Sequence, residues 1–532
     1  MSTELLIGGR FYSSSAPDAT AMAVTDGMVV WLGAEKPGRA LHPDAEIIDL
    51  DGAFVAPGFV DPHVHLTALG LRLTGLDLSG ADSLRACLDA IRAYAAADTG
   101  GVVLGDGWDE SRWPERRPPT VEEIDAAAGR DRPVYLARVD AHSAVASTAL
   151  LADVPELTSA IGYTPGEPLR AAAHHLVRAA ALAKLDRARR DAARRAALDA
   201  AAAQGVVAVH ECAGPEIAGR EDLLELREFA HGVEVRAYWG EAVRSAEQAR
   251  ALIEELGVDG LAGDLFVDGS LGSRTAWLRE PYADDPGSGL GYLDVDAIAA
   301  HVRACTEAGV QAGFHVIGDA AMAAAVAGFE RAADELGAPA VAARGHRVEH
   351  AEMLDAEQMA KLAAFGVIAS VQPGFDAAWG GADGMYAARL GPERAAAMNR
   401  FGAMAAAGIA LAIGSDAPVT PLNPWAAVRA AVEHRTPGSG LSPRAAFAAA
   451  TRGGWRACGV RDGLAGTLVP GAPASYAVWD ADDLVVAAAS DAVRRWSTDP
   501  RSRVPGLPPL HADAPLPTCL RTVHRGVVIH EL

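Results

Sequence analysis
Eight short apolar runs of β type alternate with Ala-rich stretches through the middle of this chain, and that alternation restricts its fold more than any other feature. The runs are 58–65 (GFVDPHVH), 205–211 (GVVAVHE), 233–239 (VEVRAYW), 261–269 (LAGDLFVDG), 310–316 (VQAGFHV), 346–350 (HRVEH), 366–372 (GVIASVQ) and 408–416 (GIALAIGSD). Helical patterns lie between them, for example 187–204, 296–308 and 395–407. Each of these three is followed by a glycine (Gly205, Gly309, Gly408), the residue that stops a helix in the left-handed conformation. Strands alternating with helices imply a parallel sheet, and eight of them suit a closed (β/α)8 TIM-like barrel.

The two ends read differently. LLIGG, TAMAVTDGMVVWLG and AEIIDLDGAFVAPG near the start, and GTLVPGAPASYAVWDA and TCLRTVHRGVVIHEL near the end, are short strands punctuated by Gly and Asp. We therefore expect a small β-sandwich built from residues 1–55 and 466–532 around a barrel spanning 56–465. A stretch of about 70–175 holds two further β runs, GVVLGDGW and PVYLARVD, and reads as an insertion after the first barrel strand. The length of 532 residues accommodates a large barrel with a satellite module.

Composition narrows the function classes. The net charge of -22 disfavours nucleic acid and anionic membranes as partners. No stretch reaches the roughly 18 apolar residues of a membrane-spanning helix. The N-terminus lacks a basic region followed by an apolar run, so no signal peptide is expected. Five scattered cysteines without CxxC spacing suit a reducing cytoplasm. A small-molecule substrate is expected as the partner, and a homodimer is an ordinary assembly for a chain of this size. His174 and His175 lie in an Ala- and Arg-rich stretch and read as surface or interface residues, and 187–195 as one solvated helix face.

The chemistry lies at the strand ends. His63 and His65 close the first run, and side chains two apart on a strand point the same way, so both imidazoles can meet one metal ion. His315, His350 and Asp416 close the fifth, sixth and eighth runs, and a barrel gathers the carboxyl ends of its strands around one site. Zn2+ suits such donors, and Fe2+ or Mn2+ accept them too. A bound divalent ion lowers the pKa of water toward neutrality. Asp416 is placed to bind the metal and shuttle a proton; His350 either binds a second metal or orients water and stabilises an oxyanion. Glu211 ends the second run and either reaches the site or pairs locally. Asp268 reads as a residue that organises the DGS turn. Arg274 either clamps a substrate carbonyl or carboxylate or forms a structural ion pair, and Trp108 and His142 of the insertion are candidates for substrate contact, with core packing the alternative for Trp108. Gln372 and Asp376, after the seventh run, either line the pocket or cap a loop.

With those residues in view, the chain resembles the amidohydrolase superfamily, in particular its amidohydrolase family 3 or YtcJ-like branch, which includes N-substituted formamide deformylases. The matching segments include APGFVDPHVH (56–65), GWDESRWPERRPPT (107–120), RPVYLARVDAHSAVASTAL (132–150), DGSLGSRTAWLREPY (268–282), FHVIGDAA (314–321), HRVEHAE (346–352), GSDAPV (414–419) and GTLVPGAPASYAVW (466–479). The resemblance implies a metal-dependent hydrolase of non-peptide C–N bonds, amide or formamide, with metal ligands His63, His65, His315, His350 and Asp416. Many members of that branch carry a Lys four residues before DGSLGSR that bridges two metals once carbamylated; here that position is Asp264. Superfamily deaminases without the Lys bind one metal through the HxH pair, the fifth-strand His and the eighth-strand Asp. By that analogy one ion on His63, His65, His315 and Asp416 is expected, rather than two bridged by Asp264 or Glu211. Deamination, cyclic-imide or ester hydrolysis would use the same site. A non-catalytic binding protein on a decayed barrel is the reading of a different class, with Asp264 as its sign.

Overall fold
In the computed structural model of the protein, which describes residues 3–98, 100–481, 483–485 and 505–532, the apolar runs become eight parallel strands. We label them β1 (Phe59–Val64), β2 (Val206–Ala213), β3 (Glu234–Trp239), β4 (Gly260–Leu261), β5 (Gln311–Val316), β6 (Arg347–His350), β7 (Ile368–Val371) and β8 (Ala410–Ile413). Neighbours pair in sequence order from β1 to β8. The ends are joined by a parallel bridge between Val64 and Ala417 and by Asp416 N donating to His63 O at 2.8 Å. Every residue of β1 and β2 is buried, as expected of strands covered on both faces. The fold is thus a (β/α)8 TIM-like barrel.

Helices cover it outside. Arg187–Ala203 starts on an Asp186 cap that accepts from Arg189 N at 2.8 Å, and Val295–Ala308 stops at Gly309, whose φ is +81°. Leu66–Thr74, which follows β1, lies so close to Arg187–Ala203 that a Cβ on Gly70 would sit 1.8 Å from Ala193 O.

The chain ends meet in a β-sandwich. One sheet holds Thr3–Ile7, Ala21–Thr25, Met28–Gly33 and Glu46–Asp49. The other joins Arg10–Phe11 and Phe54–Pro57 to Tyr476–Asp480, Thr518–His524 and Val527–Glu531. Leu6, Met22, Val55, Tyr476 and Val523 share the core between them. Between β1 and β2, a third sheet contains Leu76–Asp77, Val103–Trp108, Val134–Arg138, Ser143–Ala146 and Leu169–Arg170.

Four local expectations are corrected. The fourth run forms a ladder only at Gly260–Leu261; Gly263, at φ +78°, turns the chain against Cys212 and carries 264–268 out of register. The helix expected over 395–407 is two pieces, Pro392–Ala396 and Phe401–Ala406, because Asn399 adopts φ +51° and donates its N–H to Glu352 O at 2.9 Å. His174 is buried with its Nε2 2.7 Å from Tyr135 Oη, and His175 faces an internal cavity beside Glu216. Arg194, within the run expected to be solvated, is buried and bonded to Asp222, Glu225 and Asp191.

Candidate metal centre
Strand alternation aims His63 and His65 toward the barrel axis, His63 from the end of β1 and His65 from the start of the next helix. His63 Nε2 lies 3.4 Å from both Asp264 Oδ1 and Asp416 Oδ1. His65 Nε2 lies 3.2 Å from Asp264 Oδ2 and from Asp416 Oδ1. His315 Nδ1 stands 3.4 Å, and His350 Nε2 3.9 Å, from Asp264 Oδ1. The carboxylate of Asp264 thus touches all four histidines.

Two of these residues depend on unusual backbone. His350 has φ +69° and Asp416 φ +54°, in the left-handed region that non-glycine residues rarely adopt. Along β6 the alternation would place Glu349 and His350 on opposite faces; the turn at His350 brings both inward. Glu349 then meets His63 Nδ1 at 2.9 Å, while His350 Nδ1 donates to Gln372 Oε1 at 2.8 Å. His315 Nε2 donates to Gly269 O at 3.3 Å.

These outer bonds fix the tautomers. Each ring spends its N–H outward, so the inner nitrogens of His63, His315 and His350 present lone pairs to carboxylate oxygens. His63 Nε2, His315 Nδ1, Asp264 Oδ1 and Asp416 Oδ1 are buried and have no hydrogen-bond partner. Lone pairs facing carboxylates need positive charge between them, so the donor set fits a divalent cation. Electrostatics points the same way. Burial works against protonation of His65, yet its contacts with Asp264 and Asp416 hold its pKa up to about 9. Burial also opposes ionisation of Asp264, but the surrounding histidines hold it well below the usual carboxylate range.

Among the described residues, three groups bring potential ligand atoms within 4.8 Å of one another: His63 with His65 and Asp416, His63 with Asp264 and His350, and His63 with Cys212 and Glu349. In the third, His63 Nδ1 already meets Glu349, and burial pushes the Cys212 thiol up to about 12, leaving it protonated.

The other sequence candidates separate. Glu211 lines the cavity, but its Oε2 accepts from Leu66 N at 2.7 Å and so fixes the start of the helix after the HxH pair. His142 also lines the cavity, with its ring 5.0 Å from that of His315. Arg274 pairs with Asp284 at 2.8 Å and does not border this cavity. Trp108 is buried in the insertion, its Nε1 donating to Leu136 O at 2.9 Å. Asp268 ties the chain after β4 to the end of β5, accepting from Trp277, Ile317 and Gly318 amides. Gln372 supports His350, whereas Asp376 accepts from Arg435 N. Sequence reasoning missed Glu349, although the HRVEH segment contained it, and the cavity-lining Asp106, Tyr135, His175 and Arg178.

This geometry has relatives. YtcJ of Bacillus subtilis (strain 168) is 28% identical over 461 residues, 80% of this chain and 82% of that one. The N-substituted formamide deformylase of Arthrobacter pascens is 32% identical over 137 residues, a quarter of each chain (25% and 25%). A crystal structure of an uncharacterized metal-dependent hydrolase from Pyrococcus furiosus superposes with a TM-score of 0.70 at 29% identity, covering 90% of this chain and 99% of that one. The profile of the Amidohydrolase family matches residues 46–530, from the N-terminal sheet through every barrel strand to the last strand. The convergent histidines and aspartates therefore sit in a protein that belongs to the amidohydrolase family and is a metal-dependent hydrolase.

Proposed function
We propose that the protein hydrolyses a non-peptide C–N bond, of amide or formamide type, at the His63–His65–Asp264–His315–His350–Asp416 cluster. The observation that carries this reading is the set of buried, unpartnered lone pairs turned toward one point. His63, His65, His315 and Asp416 would hold the ion, foremost Zn2+, with Asp264 against these three imidazoles and that of His350. When bound, the ion supplies acidification of water and polarisation of the scissile carbonyl. Asp416 takes the proton of the attacking water and returns it to the departing nitrogen. The new C–O bond leaves an oxyanion on the former carbonyl oxygen, and its collapse breaks the C–N bond so that the protonated nitrogen leaves as an amine. His350, held by Gln372, is placed to stabilise the developing oxyanion. The partial match to a formamide deformylase supports the amide class.

The test is metal content and turnover on protein purified without chelators. Plasma mass spectrometry should find about one equivalent of divalent metal per chain, and a panel of simple amides and formamides should include a substrate. Asp416→Ala should lower kcat on it by at least about 100-fold. A protein that stays metal-free when offered Zn2+, Fe2+ or Mn2+ would overturn the reading and favour a binding protein.

A further inference from the structure
The histidines of the cluster are not all anchored in the same way. His63 is held by the carboxylate of Glu349 at 2.9 Å and His350 by the amide of Gln372 at 2.8 Å, side chains that stand on β6 and directly after β7. His315 rests on a loop instead. Among the described residues its ring makes one outward hydrogen bond, from Nε2 to the carbonyl of Gly269, and at 3.3 Å it is longer than the other two. The backbone of His315 is fixed, its N–H donating to Leu265 O at 2.9 Å. The angle of the ring therefore follows the position of Gly269.

Gly269 opens a tight turn, 269–275, that is closed on itself. Thr275 N donates to Ser270 O at 2.9 Å, and Ser270 N to Thr275 Oγ1 at 3.0 Å. Neighbouring segments seat this turn from outside. Arg389 donates to Gly272 O at 3.1 Å. Asp140 is buried at the bend between Val134–Arg138 and Ser143–Ala146 of the insertion, and its Oδ2 accepts from Ser270 Oγ at 2.7 Å and from Ser273 Oγ at 2.8 Å. The contact leaves no slack, since a Cβ on Gly272 would lie 2.5 Å from that oxygen. Arg138 Nη1, 3.1 Å away, holds Asp140 in its turn and is itself held by Glu110 at 2.8 Å. A hydrogen bond to an ionised group is roughly twice as strong as a neutral one. The carboxylate grips Ser270, the residue next to Gly269, whereas Arg389 grips the turn further along.

We propose that Asp140 is a positioning residue for the metal centre. By clamping Ser270 and Ser273 it sets Gly269, and through the Gly269 carbonyl it sets the imidazole of His315. This donor is thus aligned by the insertion, while His63 and His350 are aligned by the barrel. Without the clamp the turn relaxes and the ring swings, so that Nδ1 leaves its place 3.4 Å from Asp264 Oδ1. The proposal rests on the hydrolase reading above.

Asp140→Ala removes the clamp without touching a metal donor. Its Zn2+ affinity, read by competition against a chromophoric chelator, should fall by roughly 10- to 100-fold, the range for losing support behind a ligating histidine. The visible absorption of the Co2+-loaded protein should change in position and intensity, because it reports how the donors surround the ion; a loss of stability alone would not move it. Asp140→Asn keeps an acceptor oxygen of the same reach and should retain part of both properties. Ser270→Ala combined with Ser273→Ala removes the same two hydrogen bonds but keeps the Arg138 pair. It should reproduce the Asp140→Ala spectrum, and it decides the matter if Asp140→Ala does not fold. Wild-type affinity and spectrum in either folded variant overturn the proposal and leave the hydrolase reading standing. Weaker binding with the wild-type Co2+ spectrum also overturns it, since the donors would then be arranged as before. Wild-type protein that takes up neither Zn2+ nor Co2+ overturns both.

Discussion

At the scale of single residues, the centre depends on groups that never face the cavity. Glu349 is fully buried, receives two bonds from Arg347 at 2.8 and 3.0 Å, and meets His63 Nδ1 at 2.9 Å. Arg347 is itself fixed by Pro62 O at 2.6 Å, by His210 Nδ1 at 2.9 Å and by the ring of Tyr238. A carboxylate behind a ligating imidazole sets its tautomer and raises its basicity. Glu349→Gln should therefore weaken metal binding by about 10- to 100-fold, read by competition against a chromophoric chelator. Denaturation of the metal-free variant separates this from general damage, and an unchanged metal affinity would refute the role. That His63, His65, His315, His350 and Asp416 come together in space was legible, because residue type and strand position coincide. Glu349 was not, because simple alternation sets it opposite His350, and only the left-handed backbone at His350 joins them.

At the scale of elements, the barrel was readable because parallel strands buried on both faces are continuous apolar runs, and Gly stops separate them from Ala-rich helices. The misreadings arose where tertiary contacts overrule local pattern. Arg194 reads as solvated within its own helix, but Asp222 and Glu225, from the helix Gly219–Glu228, bury and neutralise it. The contact between Leu66–Thr74 and Arg187–Ala203 matters more to function, because the first of these helices begins at His65 and receives Glu211 at Leu66 N. Gly70 permits it, since a Cβ there would overlap the backbone carbonyl of Ala193. Within a helix alanine is otherwise the better residue, so propensity alone would have Gly70→Ala stabilise. The clash is with rigid backbone and cannot be relieved by a rotamer change. Gly70→Ala should therefore destabilise by about 1–3 kcal/mol and shift the helix that carries His65. A lowered midpoint in urea together with weaker metal retention is the expected result; an unchanged or raised midpoint would show that the helices separate freely.

At the scale of the whole molecule, one end of the barrel serves chemistry and the other serves cohesion. β1 makes the division visible within a single strand: His63 lies near its carboxyl end, while Phe59, at its amino end, packs edge-on against Trp479 with ring centroids 5.8 Å apart. Trp479 comes from the C-terminal strand Tyr476–Asp480 and also meets Trp425 at 5.7 Å and the backbone of Gly205, where a Cβ would lie 2.3 Å from its ring. It therefore locks the terminal sheet onto the barrel, next to the point where Thr522 Oγ1 donates to Ala202 O at 2.7 Å. Removing so large a buried ring leaves a cavity that rigid strands cannot close. Trp479→Ala should cost about 3–5 kcal/mol, seen as a lower unfolding midpoint. Because the lost contacts lie at the opposite end of β1 from His63, the folded variant should keep its metal per chain and its kcat. Loss of metal from protein that is still folded would mean that the two ends of the barrel are coupled, and that the terminal sheet helps to set the geometry of the centre.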